Sequence, residues 1–167
     1  FGRGKRWLDS GPAGYILGNW QINGITAMNS GPAITATGPN NSGTGPGTTA
    51  RANCVRKPGF INGGTIDRWF DTSAFESTAG GNAPFSFGTC GPGTLVGPGT
   101  HNWDFSVFKK FPVTEGRWLE FRTEFFNLWN HTQFRSPNTA ANNAAFGQIS
   151  ATRVKARQIQ FALKLYF

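Results

Sequence analysis

Charge is scarce in this chain: of 167 residues only 14% are Asp, Glu, Lys or Arg. Long helices draw on Ala, Leu, Glu and Lys, and these are thin outside a few stretches. No run of about 18 apolar residues occurs, so no transmembrane helix is predicted. No signal peptide is recognisable. The sequence starts at Phe1 and its one methionine is the internal Met28, so we expect a processed product or a piece of a longer protein. Motifs for chemistry are also missing. The two histidines, His101 and His131, stand in no HxH or HExxH spacing. There is no GxSxG, no Walker loop, and no GxGxxG between a strand and a helix. Neither cysteine lies in a CxxC, which leaves zinc and haem without support. Glu120 and Glu124 share one face of a predicted strand, where a glycosidase pair can be imagined. Arg122 between them favours a charge ladder, because a neighbouring cation opposes the raised carboxyl pKa that an acid catalyst needs. We expect no enzyme activity, no cofactor and no metal.

What is abundant points to β-structure. There are 16 Phe and 6 Trp, with 23 Gly and 10 Pro. Aromatic residues with dense Gly/Pro punctuation predict antiparallel strands joined by long loops. The net charge is +8. A basic balance fits nucleic acid or anionic lipid head groups. Lys and Arg are scattered along the chain and no helix with a basic face can be drawn, so nucleic-acid binding is not expected.

Period-2 alternation marks the strands. Residues 1–18 look like a strand end and a turn-rich connector, and strands follow within 18–37. Along 19–28, Trp20, Ile22, Thr26 and Met28 share one face with Gly24, and Gln21, Asn23 and Ala27 the other, with Ile25 as the exception. A short β-prone run, AITAT, occupies 33–37. Residues 38–100 form one long Gly/Pro-rich loop with apolar anchors at Phe60, Ile61, Trp69, Phe70, Phe75, Phe85 and Phe87. A loop this long is functional, disordered, or hiding short strands. Cys54 and Cys90 both lie in it. A bridge would close about 37 residues and stabilise the loop by roughly 3–4 kcal/mol. Since the region has little else to hold it, the disulfide is expected over two free thiols.

Residues 102–129 predict a hairpin. Trp103, Phe105, Val107 and Phe111 alternate with Asn102, Asp104, Ser106 and Lys110; Leu119, Phe121, Thr123 and Phe125 alternate with Glu120, Arg122 and Glu124. A helix over 118–129 would scatter its charges, so the strand is preferred. A three-residue loop, Thr114-Glu115-Gly116, puts Gly116 at the left-handed position. That register sets Phe105 against Phe125, Val107 against Thr123, and Lys110 against Glu120 as an opposite-charge cross-strand pair. A polar connector covers 130–145. A terminal hairpin is predicted over 146–167, with strands at 146–153 and 157–167. The last strand carries Ile159, Phe161, Leu163, Leu165 and Phe167 on one face and Gln158, Gln160, Lys164 and Tyr166 on the other. About six strands result.

The alternation fits a soluble sandwich as well as a membrane barrel. Aromatics near the strand ends (Trp20, Trp103, Trp118, Trp129, Tyr166) and a polar opposite face suit a barrel with interfacial girdles and a wet lumen. The end of the chain, an alternating strand closed by Phe167, resembles the closing strand of outer-membrane proteins, where the assembly machinery reads it. More of the chain resembles the C-terminal region of TonB-dependent receptors of the Oar-like type, which bear a carboxypeptidase-regulatory-like domain. The stretches are FGRGKRW at 1–7, GNWQINGI at 18–25, WFDTSAF at 69–75, GPGTHNWDFSVFKKF at 97–111, LEFRTEFFNLWNHTQF at 119–134, and FGQISATR with RQIQFALKLYF at 146–167. FFNLWNHTQF is similar to the segment that leads to a periplasmic turn in that superfamily. The resemblance implies a 22-stranded barrel, a plug and energised uptake through TonB. Plug and TonB box belong to the N-terminal part of such receptors, so TonB is expected as a partner only through that part.

About six strands cannot close a membrane barrel, whose minimum is eight. The expected partners are therefore other strands of the parent barrel or copies of this chain, together with outer-membrane lipid. The expected location is the bacterial outer membrane or the cell surface. A self-associating structural protein, an oligomer or fibre built by strand addition, is the alternative. An aromatic-rich carbohydrate-binding module is a third. Counting strands back from the C-terminus puts the 38–100 loop on the periplasmic side unless it hides a further strand, whereas long barrel loops usually face outward.

Overall fold

The computed structural model describes residues 6–7, 11–44, 47–59, 64–76 and 85–167. The elements are helix α1 (Gly11–Leu17), then strands β1 (Trp20–Asn29), β2 (Ala33–Ile34), β3 (Thr37–Pro39), β4 (Thr49–Arg51) and β5 (Leu95–Val96). The long strands β6 (Thr100–Thr114), β7 (Arg117–Phe126) and β8 (Gln158–Tyr166) complete the order, with a 3-10 turn at Thr72–Ala74. Among the described residues the fold is mostly antiparallel β with one α-helix, and its main sheet is not closed. Two compact units divide the chain. One holds Phe1–Met28, His101–Thr132 and Val154–Phe167; the other holds Asn29–Thr100 and Gln133–Arg153.

The first unit is a four-stranded sheet in the order β1-β6-β7-β8. The β6–β7 hairpin has the expected register: Phe105 faces Phe125, Val107 faces Thr123, and Lys110 faces Glu120. The register shifts between Pro112 and Thr114, and Gly116 takes a φ of 75°. The turn is Glu115-Gly116, one residue shorter than the expected Thr114-Glu115-Gly116 loop: Thr114 pairs with Arg117, and a bulge at Val113 takes up the extra residue. β8 pairs with β7 over its whole length, from Phe126 against Gln158 to Trp118 against Tyr166.

Three parts of the sequence reading change. Residues 146–153 are not a strand beside β8. Thr152 makes only an isolated bridge to Phe134, and Ile149 N–H donates to the Ile66 carbonyl. Gly147, at a φ of 82°, interrupts the run, while Phe146 is drawn into the aromatic core of the second unit. β8 finds its ladder in β7 instead, where both faces match. Within 1–18, residues 11–17 form α1. Pro12 sits in its first turn, where proline costs no hydrogen bond, and Gly18 N–H closes back on the Gly14 carbonyl. Seven residues are too few to show a helical period. The 38–100 loop does hide short strands, β3, β4 and β5. The AITAT run splits into β2 and the start of β3. The strand end expected before residue 6, and the anchors Phe60 and Ile61, lie outside the described residues.

The second unit has its own core. Ala36, Ala52, Phe70, Ala74, Phe75, Cys90 and Leu95 are buried together. Phe70, Phe75 and Phe146 meet edge-on, with ring centroids 5.1–5.8 Å apart. Phe85 and Phe87 are exposed and do not join this core. β2 pairs with β5 and β3 with β4. Cys54 and Cys90 form a disulfide. Asp71 caps the 3-10 turn. It accepts from the Ser73 hydroxyl at 2.6 Å and backbone N–H at 3.1 Å, and pairs with Arg56 at 2.6 Å and Arg68 at 3.1 Å. The Ser73 hydroxyl, then Arg56, hold its carboxyl well below the usual carboxylate range.

Two outcomes follow for this unit. Replacing both cysteines by serine should cost about 3–4 kcal/mol of its stability, read as faster limited proteolysis within 38–100. A depressed carboxylate pKa stabilises the fold above the unfolded value of about 4 and loses that contribution as pH falls below it. Between pH 7 and pH 3 the parent chain should therefore lose more protease resistance here than Asp71→Asn, which is already weakened at pH 7. Equal acid sensitivity of the two would refute this role for Asp71.

Candidate functional site

Alternation gives the four-stranded sheet two chemically different faces. One carries Phe105, Val107 and Phe111 of β6, Leu119, Phe121 and Phe125 of β7, and Ile159, Phe161, Leu163 and Leu165 of β8. On β1, Gly24 lies against the Phe105 ring and Trp20 against Lys109. That puts Trp20, Ile22, Gly24, Thr26 and Met28 on the same face. A glycine under a cross-strand aromatic is a recurrent sheet device, the ring covering the bare backbone. Among the described residues, much of this face on β1 and β8 is uncovered. Phe161, Leu163 and Leu165 are 66%, 65% and 59% exposed, and Phe167, just past β8, is 94% exposed. So large an apolar surface requires a partner phase. β1, β7 and β8 span 10, 10 and 9 residues, and a transmembrane strand needs about 9–11.

The opposite face is polar and internally paired. Glu120 is nearly buried there, held by Arg122 at 2.5 Å and by Lys110 across the strands at 3.9 Å. Lys164 lies opposite Glu120 on β8. The Arg122 guanidinium also stacks over the Phe108 ring, and the Lys110 ammonium over Trp118. Trp118 and Tyr166 stack with centroids 4.9 Å apart. Trp118 and Tyr166 thus belong to the polar face and not to an outward girdle, because their parity follows Glu120 and Lys164. Trp103 and Trp129 do meet, 6.5 Å apart. The Trp103 indole N–H donates to His101 Nε2, and His101 lies beside His131.

Sequence reading located the Cys54–Cys90 bridge, the Lys110–Glu120 pair and the apolar Ile159–Phe167 face, which the structure leaves largely exposed. It missed Lys109. Two adjacent lysines on a strand must fall on opposite faces, so one of them had to point toward hydrocarbon. That signal was present in the sequence. Among the described residues no three His, Cys, Asp or Glu side chains converge as metal ligands would. The second unit has an open pocket of about 620 Å³ between Thr72–Glu76 and Ala141–Phe146, but Phe75 and Phe146 are engaged edge-on in its core. Removing the charge of Glu120 leaves Arg122 and Lys110 as neighbouring cations. Glu120→Gln should lower the melting temperature more than Glu124→Gln, and equal shifts would show that the network stabilises nothing.

Residues 1–160 match the family model described as an outer membrane beta barrel domain. No curated protein and no solved structure matches. A two-faced sheet with an uncovered apolar side, strands of membrane-spanning length and a family match over nearly the whole chain agree, and the chain belongs to the outer membrane beta barrel family of the bacterial outer membrane.

Proposed function

We propose that this chain is a non-catalytic barrel segment of a TonB-dependent outer-membrane transporter of the Oar-like type. The observation that carries the reading is the open sheet: β1 and β8 are its edge strands. An open edge in lipid leaves backbone N–H and C=O groups unpaired, at several kcal/mol each. Strands of the parent protein on either side satisfy them and close the barrel. The resemblance of the segments at 18–25, 69–75, 97–111 and 119–134 to such receptors supports the finer assignment. TonB engages the N-terminal part of such a receptor.

Sheet topology bears on orientation. β1 ends at Asn29, β6 begins at Thr100, β7 ends at Phe126 and β8 begins at Gln158. Both long connections therefore leave one end of the sheet, and the Glu115-Gly116 turn and Phe167 lie at the other. Without a strand at 146–153, counting back from the C-terminus no longer puts the long loop in the periplasm. Barrels keep short turns inside and long loops outside, so the end of the sheet where β1 and β7 finish is the exterior end and the Glu115-Gly116 end the periplasmic one. The FFNLWNHTQF segment opens one of these long connections, not a turn.

A second reading, self-association into an oligomer or fibre, draws on the same two edges. Labelling of intact cells tests the first. A thiol at Asn142→Cys should react with a membrane-impermeant maleimide from outside, and one at Glu115→Cys only after the outer membrane is opened. The reverse pattern would overturn the orientation. Cross-linking of the whole protein to TonB, lost when its N-terminal part is removed, tests transport. Sedimentation of the chain without detergent tests assembly, and a monodisperse monomer would remove that reading.

A further inference from the structure

Lys109 stands where hydrocarbon is expected. It alternates with Phe105, Val107 and Phe111 on the apolar face of β6, opposite Phe121, and it is 2% exposed. A lone ammonium in lipid is expensive, most of all at the midplane of a barrel. Here it is covered by the C-terminal turn of α1. Its Nζ donates to the carbonyls of Tyr15 at 2.8 Å and Ile16 at 3.0 Å, and also to that of Gly18. The rings of Trp20 and Phe111 flank it at 5.2 and 5.4 Å, and Tyr15 packs on Phe111 at 5.9 Å. The Trp20 indole N–H donates to the Ile16 carbonyl as well.

Two costs cancel in this arrangement. The last carbonyls of a helix lack partners within it, and lipid offers none. The lysine lacks a counter-charge, and a helix C-terminus carries partial negative charge. Joined, the ammonium and the Tyr15, Ile16 and Gly18 carbonyls satisfy one another. What the joined surface still shows is apolar: Tyr15, Ile16, Leu17 and Trp20 are each more than half exposed. This surface is continuous with Ile22 on the apolar face of β1. It lies toward the end of the sheet that carries the Glu115-Gly116 turn, because β1 begins and β6 ends there.

We propose that α1 is a lipid-contact element, latched to the outward face of the sheet by Lys109 and seated at the membrane boundary nearest the Glu115-Gly116 turn, with Tyr15, Ile16, Leu17 and Trp20 in contact with phospholipid. The inference rests on the membrane reading of the sheet and not on the transport reading. Tyr and Trp favour such boundaries because each has an apolar body and a polar tip.

A nitroxide on Ile16→Cys tests it in the full protein, reconstituted in vesicles of phosphatidylethanolamine and phosphatidylglycerol. Cys54 and Cys90 are bonded to each other and do not take the label. Accessibility to oxygen and to a water-soluble nickel chelate is compared with Leu163→Cys as the hydrocarbon reference and Glu115→Cys as the water reference. Position 16 should read between the two, nearer Leu163. A value equal to Glu115 with Leu163 protected would overturn the lipid contact alone. Water access at Leu163 would overturn the membrane reading with it. In a Lys109→Met background the probe at position 16 should become more mobile and shift toward the water reference. An unchanged spectrum would show that Lys109 is not the latch. The unsubstituted Lys109 background decides the lipid contact even if the methionine variant fails to fold.

Discussion

A strand with hydrocarbon on one side and charge on the other leaves its backbone only one economical solution. The polar groups must be spent within the sheet, and the two faces must meet different solvents. In β6, β7 and β8 that constraint holds at most positions. Phe121 and Leu163 stand opposite each other on one face; Glu120 and Lys164 stand opposite each other on the other. A slip of one residue would move Glu120 among the phenylalanines and Leu163 among the charges. The hairpin turn, the bulge at Pro112–Thr114 and the Glu120 network all agree with the one register that avoids this.

Departures from the rule are informative because each is compensated locally. Lys109 breaks the apolar face and is covered by carbonyls of α1. Gly24 leaves a gap in the same face and the Phe105 ring lies over it. Trp118 and Tyr166 put aromatic mass on the polar face and stack on each other. None of these compensations reaches the free edges of β1 and β8. Among the described residues the outer edges of β1 and β8 pair with no further strand.

The second unit obeys a different rule. It has few ladder hydrogen bonds and little regular structure, and its order comes from a small aromatic core and covalent closure. Phe70, Phe75 and Phe146 come from two connections far apart in sequence. The Cys54–Cys90 bridge and the Asp71 cap tie the longer connection to itself. A segment of this kind is legible only as a loop with anchors, because no period of 2 or 3.6 runs through it. Phe70 and Phe75 were visible as anchors. Their partner Phe146 was instead read as the start of a strand.

By itself the sequence determined the alternating faces, the hairpin register with Lys110 against Glu120, the apolar Ile159–Phe167 face and the cysteine pair. These depend on local periodicity, one turn glycine and a count of two, none of which needs distant contacts. Only the tertiary structure decided that 146–153 belongs to a core and not to a terminal hairpin. It also decided that α1 is a helix and that Lys109 is tolerated on an apolar face. Each of those turns on partners many residues away: Phe70 for Phe146, β7 for β8, and the Tyr15 and Ile16 carbonyls for Lys109. A pattern within a strand says which side is greasy. Which neighbour satisfies its edges and its exceptions is settled in space, where hydrogen bonds and burial are shared between segments that the sequence keeps apart.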